Sequence, residues 1–549
     1  MLSERLVDYI EISLKNNRDI TALTDFKGER YTYSQVAQQI LKFHLLFEKT
    51  GIKPGDKIVL LGKNSAKWCI GYLSVITYGA VVVPILPDFK SEDLHYIINH
   101  SDSVLLLCAD NIFKELNIQK LPLIKAVISL NSYQLLYSSN EELNDIVQIA
   151  NGMYDEKYPG GIASGNFSLP VVTNDQLAVI SYTSGTTGFS KGVMLSHNNL
   201  TANIRYAQNN MPLNPGDSIV SFLPLAHTYG CAFEFLFPFS IGCQIVILTK
   251  TPSPQVIIQA FQEIRPALVL SVPLVIEKIY KKQILPVISK TNMKILLHIP
   301  VIRKVILNKI RAKLYKSFGG IFHEIVIGGA PFNFEAELFF RKIRFPYSVG
   351  YGMTECGPLI SYTSSSTIKL GSAGKAVDTL EVKIDSPNQE KIVGEILVRG
   401  DNVMIGYYKN EKATREILDD EGWLHTGDLG IIDRQGNIFI KGRCKSLILG
   451  ANGKNIYPEE LEAYLDNKFA VGESLIVLRD DKLVALIYPD ADVVESNKID
   501  AEELQNMYQQ YLKEINSSVP AYMNISKFEI HSEEFIKTPK RSIKRFLYS

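Results

Sequence analysis

YTSGTTGFSKG, residues 182–192, is the most informative stretch of this 549-residue chain. It follows the apolar run LAVIS, residues 177–181, which reads as a buried strand. Its eleven residues hold three glycines, three threonines, two serines and one lysine. Glycines let a backbone approach a polyphosphate closely, hydroxyls donate to its oxygens, and Lys191 adds positive charge. The obvious rival is the Walker A loop, G-x-x-x-x-G-K-[ST]. Here Ser190 precedes Lys191 and Gly192 follows it, so both required positions fail. A polar surface turn is the plain alternative for any loop rich in glycine and threonine.

On the N-terminal side of this loop, residues 1–170 alternate apolar runs with helical patterns. DKIVLLG (56–62), AVVVPIL (80–86) and SVLLLCA (103–109) read as buried strands, separated by amphipathic segments such as residues 66–78. Strand–helix–strand alternation predicts a parallel sheet covered on both faces. The pattern returns over 176–345 with LAVISY, CQIVILT, ALVLSV and EIVIGG. The expected class is therefore α/β, with two stacked α/β subdomains at about 1–170 and 176–345. From about 365 to 440 the strands shorten and are punctuated by glycine, as in LEVKID, GEILVRG and GNIFIKG, which predicts an antiparallel β region. After Lys441, helical patterns at 459–467 and 501–517 alternate with a few strands, which predicts a small α+β domain.

Composition excludes several classes. Basic and acidic residues balance at 58 each, so no global charge points to nucleic acid, and none is expected as a partner. Six cysteines are scattered without paired spacing, which predicts reduced thiols and no zinc site. The opening MLSERLVDYIEISLKNN carries charges throughout and lacks the apolar core of a signal peptide. Apolar stretches such as 267–276 are too short to span a bilayer as helices. A cytoplasmic protein is the expectation.

Further motifs follow the loop in a fixed order: LPLAHTYG (223–230), IGGAP (327–331), YGMTECGP (351–358), GEILVRGDNVMIGYY (394–408), GWLHTGDLG (422–430) and KGRCKSLILGANGKNIYPEELE (441–462). With YTSGTTGFSKG they resemble the signatures of the ATP-dependent adenylate-forming (acyl-CoA synthetase, AMP-binding) superfamily, over nearly the whole chain. The resemblance implies a 1–441 adenylation domain of two α/β subdomains and a small β-barrel-like region. A small mobile α+β domain, 442–549, would follow it, with a hinge near Lys445. It implies that Thr183, Ser184, Gly185, Thr186, Thr187, Gly188 and Lys191 bind the phosphates of ATP. Gly329, Ala330, Pro331, Tyr351 and Gly352 would border adenine, with Tyr351 stacked on it. Thr354 would bind the α-phosphate, Glu355 would hold Mg²⁺, Asp428 would take the ribose, and Arg443 the ribose and phosphate. His227 would border the acyl site, and the loop carrying Gly453 and Lys454 would reach coenzyme A. Magnesium suits this division, because it usually binds through one or two carboxylates plus phosphates.

One position departs from the family pattern. Long-chain members resemble T-P-T-x-K-[LI]-K-R near the C-terminus, whereas this chain reads TPKRSIKR over 538–545. Ser542 occupies the place of the usual catalytic lysine. Lys540, two residues earlier, is the neighbour best placed to substitute; the alternative is a weakened adenylation step.

The implied reaction is ligation of an acid to coenzyme A through an acyl-AMP. CGPLISYT (356–363) looks more like fatty-acid ligases than acetate or aryl-acid ligases, so fatty acid, ATP and coenzyme A are the expected partners. Residues 277–320 hold eleven basic residues and one acidic residue, Glu277, a net of +10, with apolar residues interleaved at helical spacing. This segment reads either as a solvated basic face or as contact with an anionic membrane, which would place the protein peripherally on the inner membrane face.

Overall fold

The computed structural model describes residues 1–183, 191–250, 253–288, 290–449, 455–537 and 543–548. An eight-stranded sheet dominates the first part. Its central strands Val81–Ile85, Lys57–Leu61 and Ser103–Cys108 run parallel, as their apolar runs predict. The helix Ala66–Tyr78 crosses between two of them, with Ser65 capping its start (2.9–3.2 Å being ordinary, Trp68 N donates at 3.1 Å) and Gly79 ending it at φ 86°. Almost all of that helix is buried, so it is apolar all round and not amphipathic. Trp68 and Tyr72 stack within it, each about 1% exposed. Side chains of this size contribute roughly 1.5–3 kcal/mol each on burial.

The sheets do not divide at residues 170–176. Leu177–Thr183 and Lys191–Ser196 form an antiparallel hairpin that extends the first sheet, with Val179 beside Val82. Conversely, Thr21–Asp25 and Arg30–Thr32 leave the first 170 residues and join Ser218–Ser221 and Gln244–Ile247 in a second sheet. The expected subdomain limits of about 1–170 and 176–345 are therefore corrected: the chain interleaves the two sheets. Apolar alternation reports that a strand is buried but carries no record of which sheet buries it. A third sheet is parallel, in the order Leu268–Ser271, Glu324–Ile327, Tyr347–Val349.

The β region is antiparallel as expected. Leu380–Asp385, Gly394–Gly400, Leu424–Ile432 and Ile438–Arg443 form one sheet. A bridge between Lys375 and Asn437 joins it to a small sheet carrying Tyr351–Gly352 and Leu359–Tyr362. The last unit is a three-stranded sheet, Val471–Arg479, Lys482–Pro489 and Ile525–Ile530. The helices Pro458–Asp466 and Ala501–Ser518 contribute Leu461, Leu465, Tyr508 and Leu512 to its own hydrophobic core. The whole is an α/β fold with a large N-terminal domain and a smaller C-terminal one.

Candidate active site

The Leu177–Thr183/Lys191–Ser196 hairpin pairs Thr183 with Lys191 at its end, and residues 184–190 of the phosphate motif come between them in sequence. Ser184, Gly185, Thr186, Thr187 and Gly188 themselves lie outside the described residues. The outer edge of the hairpin is closed by Gly406–Tyr407, which pairs with Met194 and Val193. That pairing sets the Tyr407 ring under Lys191, whose Nζ lies 4.8 Å from the ring centroid. The Tyr407 hydroxyl donates to Glu355 Oε1 at 2.8 Å, and Met404 N donates to the Glu355 carbonyl at 2.8 Å. Lys191, Tyr407 and Glu355 thus form one row at the Thr183–Lys191 end of the hairpin. Burial and the neighbouring Glu355 carboxylate raise the Tyr407 hydroxyl pKa, so it remains a donor.

Thr354 and Glu355 sit on the single 3₁₀ turn Thr354–Cys356, in a tight reversal. A Cβ on Gly352 would lie 2.1 Å from the Pro358 carbonyl oxygen, so only glycine fits there. The reversal is gripped from below by the helix His197–Asn210, whose start is fixed by a reciprocal cap between Ser196 and Asn199. Buried Asn203 donates to the Cys356 carbonyl at 3.1 Å and accepts from Leu359 N at 2.8 Å. Asn199 donates to the carbonyls of Asp401 and Val403, each at 2.8 Å.

The expected adenine and ribose residues emerge from neighbouring strand ends. Gly329, Ala330 and Pro331 are exposed just beyond Glu324–Ile327, with Gly329 at φ 87°. Tyr351 follows the adjacent strand Tyr347–Val349, and Gly350 N donates to the Ile327 carbonyl at 2.9 Å. Open α/β sheets bind ligands at such carboxyl ends. The Tyr351 hydroxyl donates to Asp428 Oδ2 at 2.8 Å, and Arg443 Nε lies 3.0 Å from Asp428 Oδ1. Asp428 is buried, and that burial raises its carboxyl pKa against the lowering effect of Arg443. Arg443 is largely exposed and leads directly into the turn Cys444–Ser446, which holds exposed Lys445.

His227 is half-buried at the start of a helical segment, Thr228–Gly230, that continues through a π-helical turn, Cys231–Leu236. Its neighbours, Ala226 and Thr228, line a narrow apolar crevice, with room for about one water molecule, together with Val179, Leu195, Cys231 and Gly357. The crevice therefore runs from the eight-stranded sheet to the 354–358 reversal. Two residues fix the 222–230 segment. The Tyr229 hydroxyl donates to the Val326 carbonyl at 3.1 Å. Fully buried Glu234 accepts from Ser221 Oγ and from the N–H groups of Phe222 and Leu223 at 2.9–3.0 Å. Burial raises the Glu234 carboxyl pKa well above the usual range.

The structure thus brings Thr183, Lys191, Thr354, Glu355, Tyr351, Asp428 and Arg443 to one side of the large domain. Gly453, Lys454, Lys540 and Ser542 lie outside the described residues. Arg545, three positions after Ser542 in the sequence, pairs with Glu462 and stands 3.8 Å from Glu459. Tyr407, Asn199, Asn203 and Glu234 were not singled out in the sequence. For Glu234 a signal existed: it is the one charge within the apolar run CAFEFLFPF, residues 231–239. Among the described residues no group of three or more His, Cys, Asp or Glu side chains forms a metal cage. A single carboxylate, Glu355, joined through Tyr407 to Lys191, fits a magnesium ion held largely by phosphate oxygens.

Comparisons with known proteins agree with this geometry. Residues 10–408 match the AMP-binding enzyme family, and residues 445–548 match the AMP-binding enzyme C-terminal domain. The human long-chain-fatty-acid–CoA ligase ACSBG2 is 28% identical over 510 residues, covering 88% of this chain and 75% of the relative. The Arabidopsis thaliana long-chain-fatty-acid–[acyl-carrier-protein] ligase AEE15 is 27% identical over 554 residues, covering 86% and 74%. The solved anthranilate CoA ligase AuaEII, in complex with anthranoyl-AMP, superposes with a TM-score of 0.77 at 20% identity, covering 100% of this chain and 97% of that one. The Bacillus subtilis o-succinylbenzoate–CoA synthetase, in complex with ATP and magnesium, gives 0.75 at 20% identity, covering 98% of each. By its two matched domains, its fold and its long-chain ligase relatives, the chain belongs to the AMP-binding family of adenylate-forming acid–thiol ligases.

Proposed function

We propose that this protein joins a fatty acid to coenzyme A with ATP, through an acyl-AMP intermediate, releasing AMP and pyrophosphate. The observation that carries the reading is the adjacency of two environments. The Thr183–Lys191 end of the hairpin is joined through Tyr407 to Glu355 in the 354–358 reversal, and the narrow apolar crevice reaches that same reversal at Gly357.

A carboxylate acylates poorly because oxide is a poor leaving group. Adenylation replaces it with AMP: an acid oxygen attacks the α-phosphorus and pyrophosphate departs. No general base is required, since the acid is ionised at neutral pH. Two anions must be brought together, so the barrier is largely electrostatic. In this reading Lys191 and the hydroxyls of 183–187 cradle the phosphates, and Thr354 donates to the α-phosphate. Magnesium, held by Glu355, supplies charge neutralisation on the phosphates. Tyr351 and the Gly329–Ala330–Pro331 edge take adenine, Asp428 and Arg443 the ribose, and His227 borders the acyl group. Lys540 stands in for the lysine that Ser542 replaces. The 442–549 domain then turns about Lys445 and presents the Gly453–Lys454 loop to coenzyme A. A cytoplasmic protein, peripheral on the inner membrane face, fits a lipid substrate of this kind.

A second reading changes only the acceptor, to a carrier-protein phosphopantetheine; a relative named as an acyl-carrier-protein ligase favours it. A third, a weakened protein that holds ATP or acyl-CoA, rests on Ser542 alone. The test is acid-dependent AMP and thioester formation by the purified protein with Mg²⁺-ATP and a chain-length series, with free coenzyme A, with carrier, or with neither. Acyl-CoA and AMP in equal amounts support the first reading. Thioester only with carrier supports the second, and nucleotide binding without AMP supports the third.

A further inference from the structure

Residues 277–320 fold into helices that end in a corner between Thr291–His298 and Pro300–Ser317. The longer helix is anchored at its C-terminal end. Leu314 is buried there, and Leu307, Ile310 and Tyr315 pack on the main core. Among the described residues its N-terminal end carries no such contact. Ile295, Leu296, Ile299, Val301, Ile302 and Val305 all gather at the corner, and all are exposed, Val301 to 76%. A cluster of exposed aliphatic side chains of this kind marks an interaction surface.

The surroundings of this corner select its occupant. Arg303, Lys304, Lys309, Arg311, Lys313 and Lys316 are exposed along the same helix. Among the described residues none of them is paired with a carboxylate. No acidic residue occurs between Glu277 and Glu324, and Glu277 itself turns inward to accept from Asn333 N at 3.0 Å. A chain of zero net charge therefore concentrates +10 in one segment. A second copy of the same corner would meet it with like charge. A bilayer bearing anionic headgroups offers both an apolar interior for the tip and negative charge for the collar.

We infer that the 295–305 corner is a membrane-docking tip: its aliphatic side chains enter the headgroup–acyl boundary of an anionic bilayer while Arg303 and Lys304 beside them rest on the headgroups, and Lys309, Arg311, Lys313 and Lys316, farther up the helix, add to the field that draws the tip there. No helix among the described residues is long and apolar enough to cross a membrane, so the tip lies on the bilayer and does not span it. The apolar residues sit at one end of the helix and not along one stripe, so the helix meets the surface end-on. The inference rests on the fatty-acid reading only for its purpose, delivery of acid from the bilayer. Its test reads binding without turnover, so the two can fail separately.

The test is cosedimentation of the full chain with phosphatidylcholine vesicles, with and without phosphatidylglycerol, over a salt series. It is repeated for R303E/K304E and for V301D/V305D, and paired with V301W emission against brominated lipid. The expected result is binding to anionic vesicles only, lost at high salt, and quenching of V301W. Each charge reversed costs at least about fivefold in partition. The substituted positions are exposed, and an unchanged thermal unfolding midpoint shows that the variants fold. Equal binding to neutral vesicles, or binding that ignores both variants, overturns the inference. So does self-association through the corner, seen as a V301D-sensitive dimer that ignores lipid.

Discussion

At the 351–359 reversal Asn203 holds two backbone groups, beside it Asn199 holds the carbonyls of Asp401 and Val403, and none of these groups is charged. Where the C-terminal domain meets the large one the materials are opposite. Lys281 reaches the Asp466 carbonyl, Asn333 meets Asn467, and Lys441 stands 3.6 Å from Glu460. Around them lie Glu277, Glu459, Glu462 and the carboxyl of Asp466. Neutral side chains bonded to buried backbone cannot let go without leaving an unpaired N–H or C=O, at about 1–3 kcal/mol each. Lys281, Asn467, Lys441 and Glu460 stay partly exposed, and contacts of that kind are exchanged for water at little cost. The comparison therefore assigns rigidity to the phosphate side and separability to the junction.

The largest expected effect tests the rigid side. Glu355→Gln keeps the shape and removes the charge, and should lower acid-dependent AMP release by roughly 10²–10³-fold. Added Mg²⁺ should restore part of it, which pyrophosphate release will read. Next comes the junction: Lys445→Pro should depress thioester formation by at least about tenfold while leaving acyl-AMP formation within about twofold. Equal loss of both half-reactions in quenched-flow measurements rejects the hinge. Asn203→Ala strips the reversal of two buried partners and should cost about 1–3 kcal/mol in urea unfolding. It should also raise KM for ATP; an unchanged KM would separate this grip from the site. Tyr407→Phe removes one hydrogen bond to Glu355 and should slow adenylation by roughly fivefold, about 1 kcal/mol.

The smallest effect is a pH dependence confined to the junction. Burial pushes the carboxyls of Asp466 and Glu462 up to about 7, from ordinary values of 3.8 and 4.5. Ser474 and Lys281 oppose the shift at Asp466, and Arg545 opposes it at Glu462. A carboxyl raised in the folded state is protonated there while the unfolded chain is already ionised. Its stabilising contribution is therefore full below its unfolded value and is lost as pH rises through about 7. The unfolding midpoint should fall between about pH 5 and pH 7.5, and Asp466→Asn should flatten that slope. A midpoint that rises with pH over this window would contradict the enclosure of these groups.

The sequence announced those parts of the molecule whose neighbours are close along the chain. The strands Lys57–Leu61, Val81–Ile85 and Ser103–Cys108 and the helix Ala66–Tyr78 declare themselves through apolar runs and caps. YGMTECGP, which carries the turn Thr354–Cys356, is legible through its resemblance to the family signature. The supporting residues are not. Asn203 bonds to groups more than 150 positions away, and Tyr407 meets Glu355 across 52. Nothing local in an asparagine or a tyrosine records a partner so distant.

The interleaving of the first two sheets bears on how the chain is made. Leu23 has its parallel partner in Ile245, and Val193 has its edge partner in Tyr407. During synthesis the opening hairpin must wait for more than two hundred residues before its sheet exists, and the phosphate hairpin must wait as long for its outer edge. A fragment cut near residue 170 would thus hold a strand pair belonging to a sheet not yet built, and would lack the hairpin that completes its own. The apolar faces left open on such a nascent chain are what a chaperone would hold: the second sheet can close once Ile247 is made, and the first gains its edge only with Tyr407.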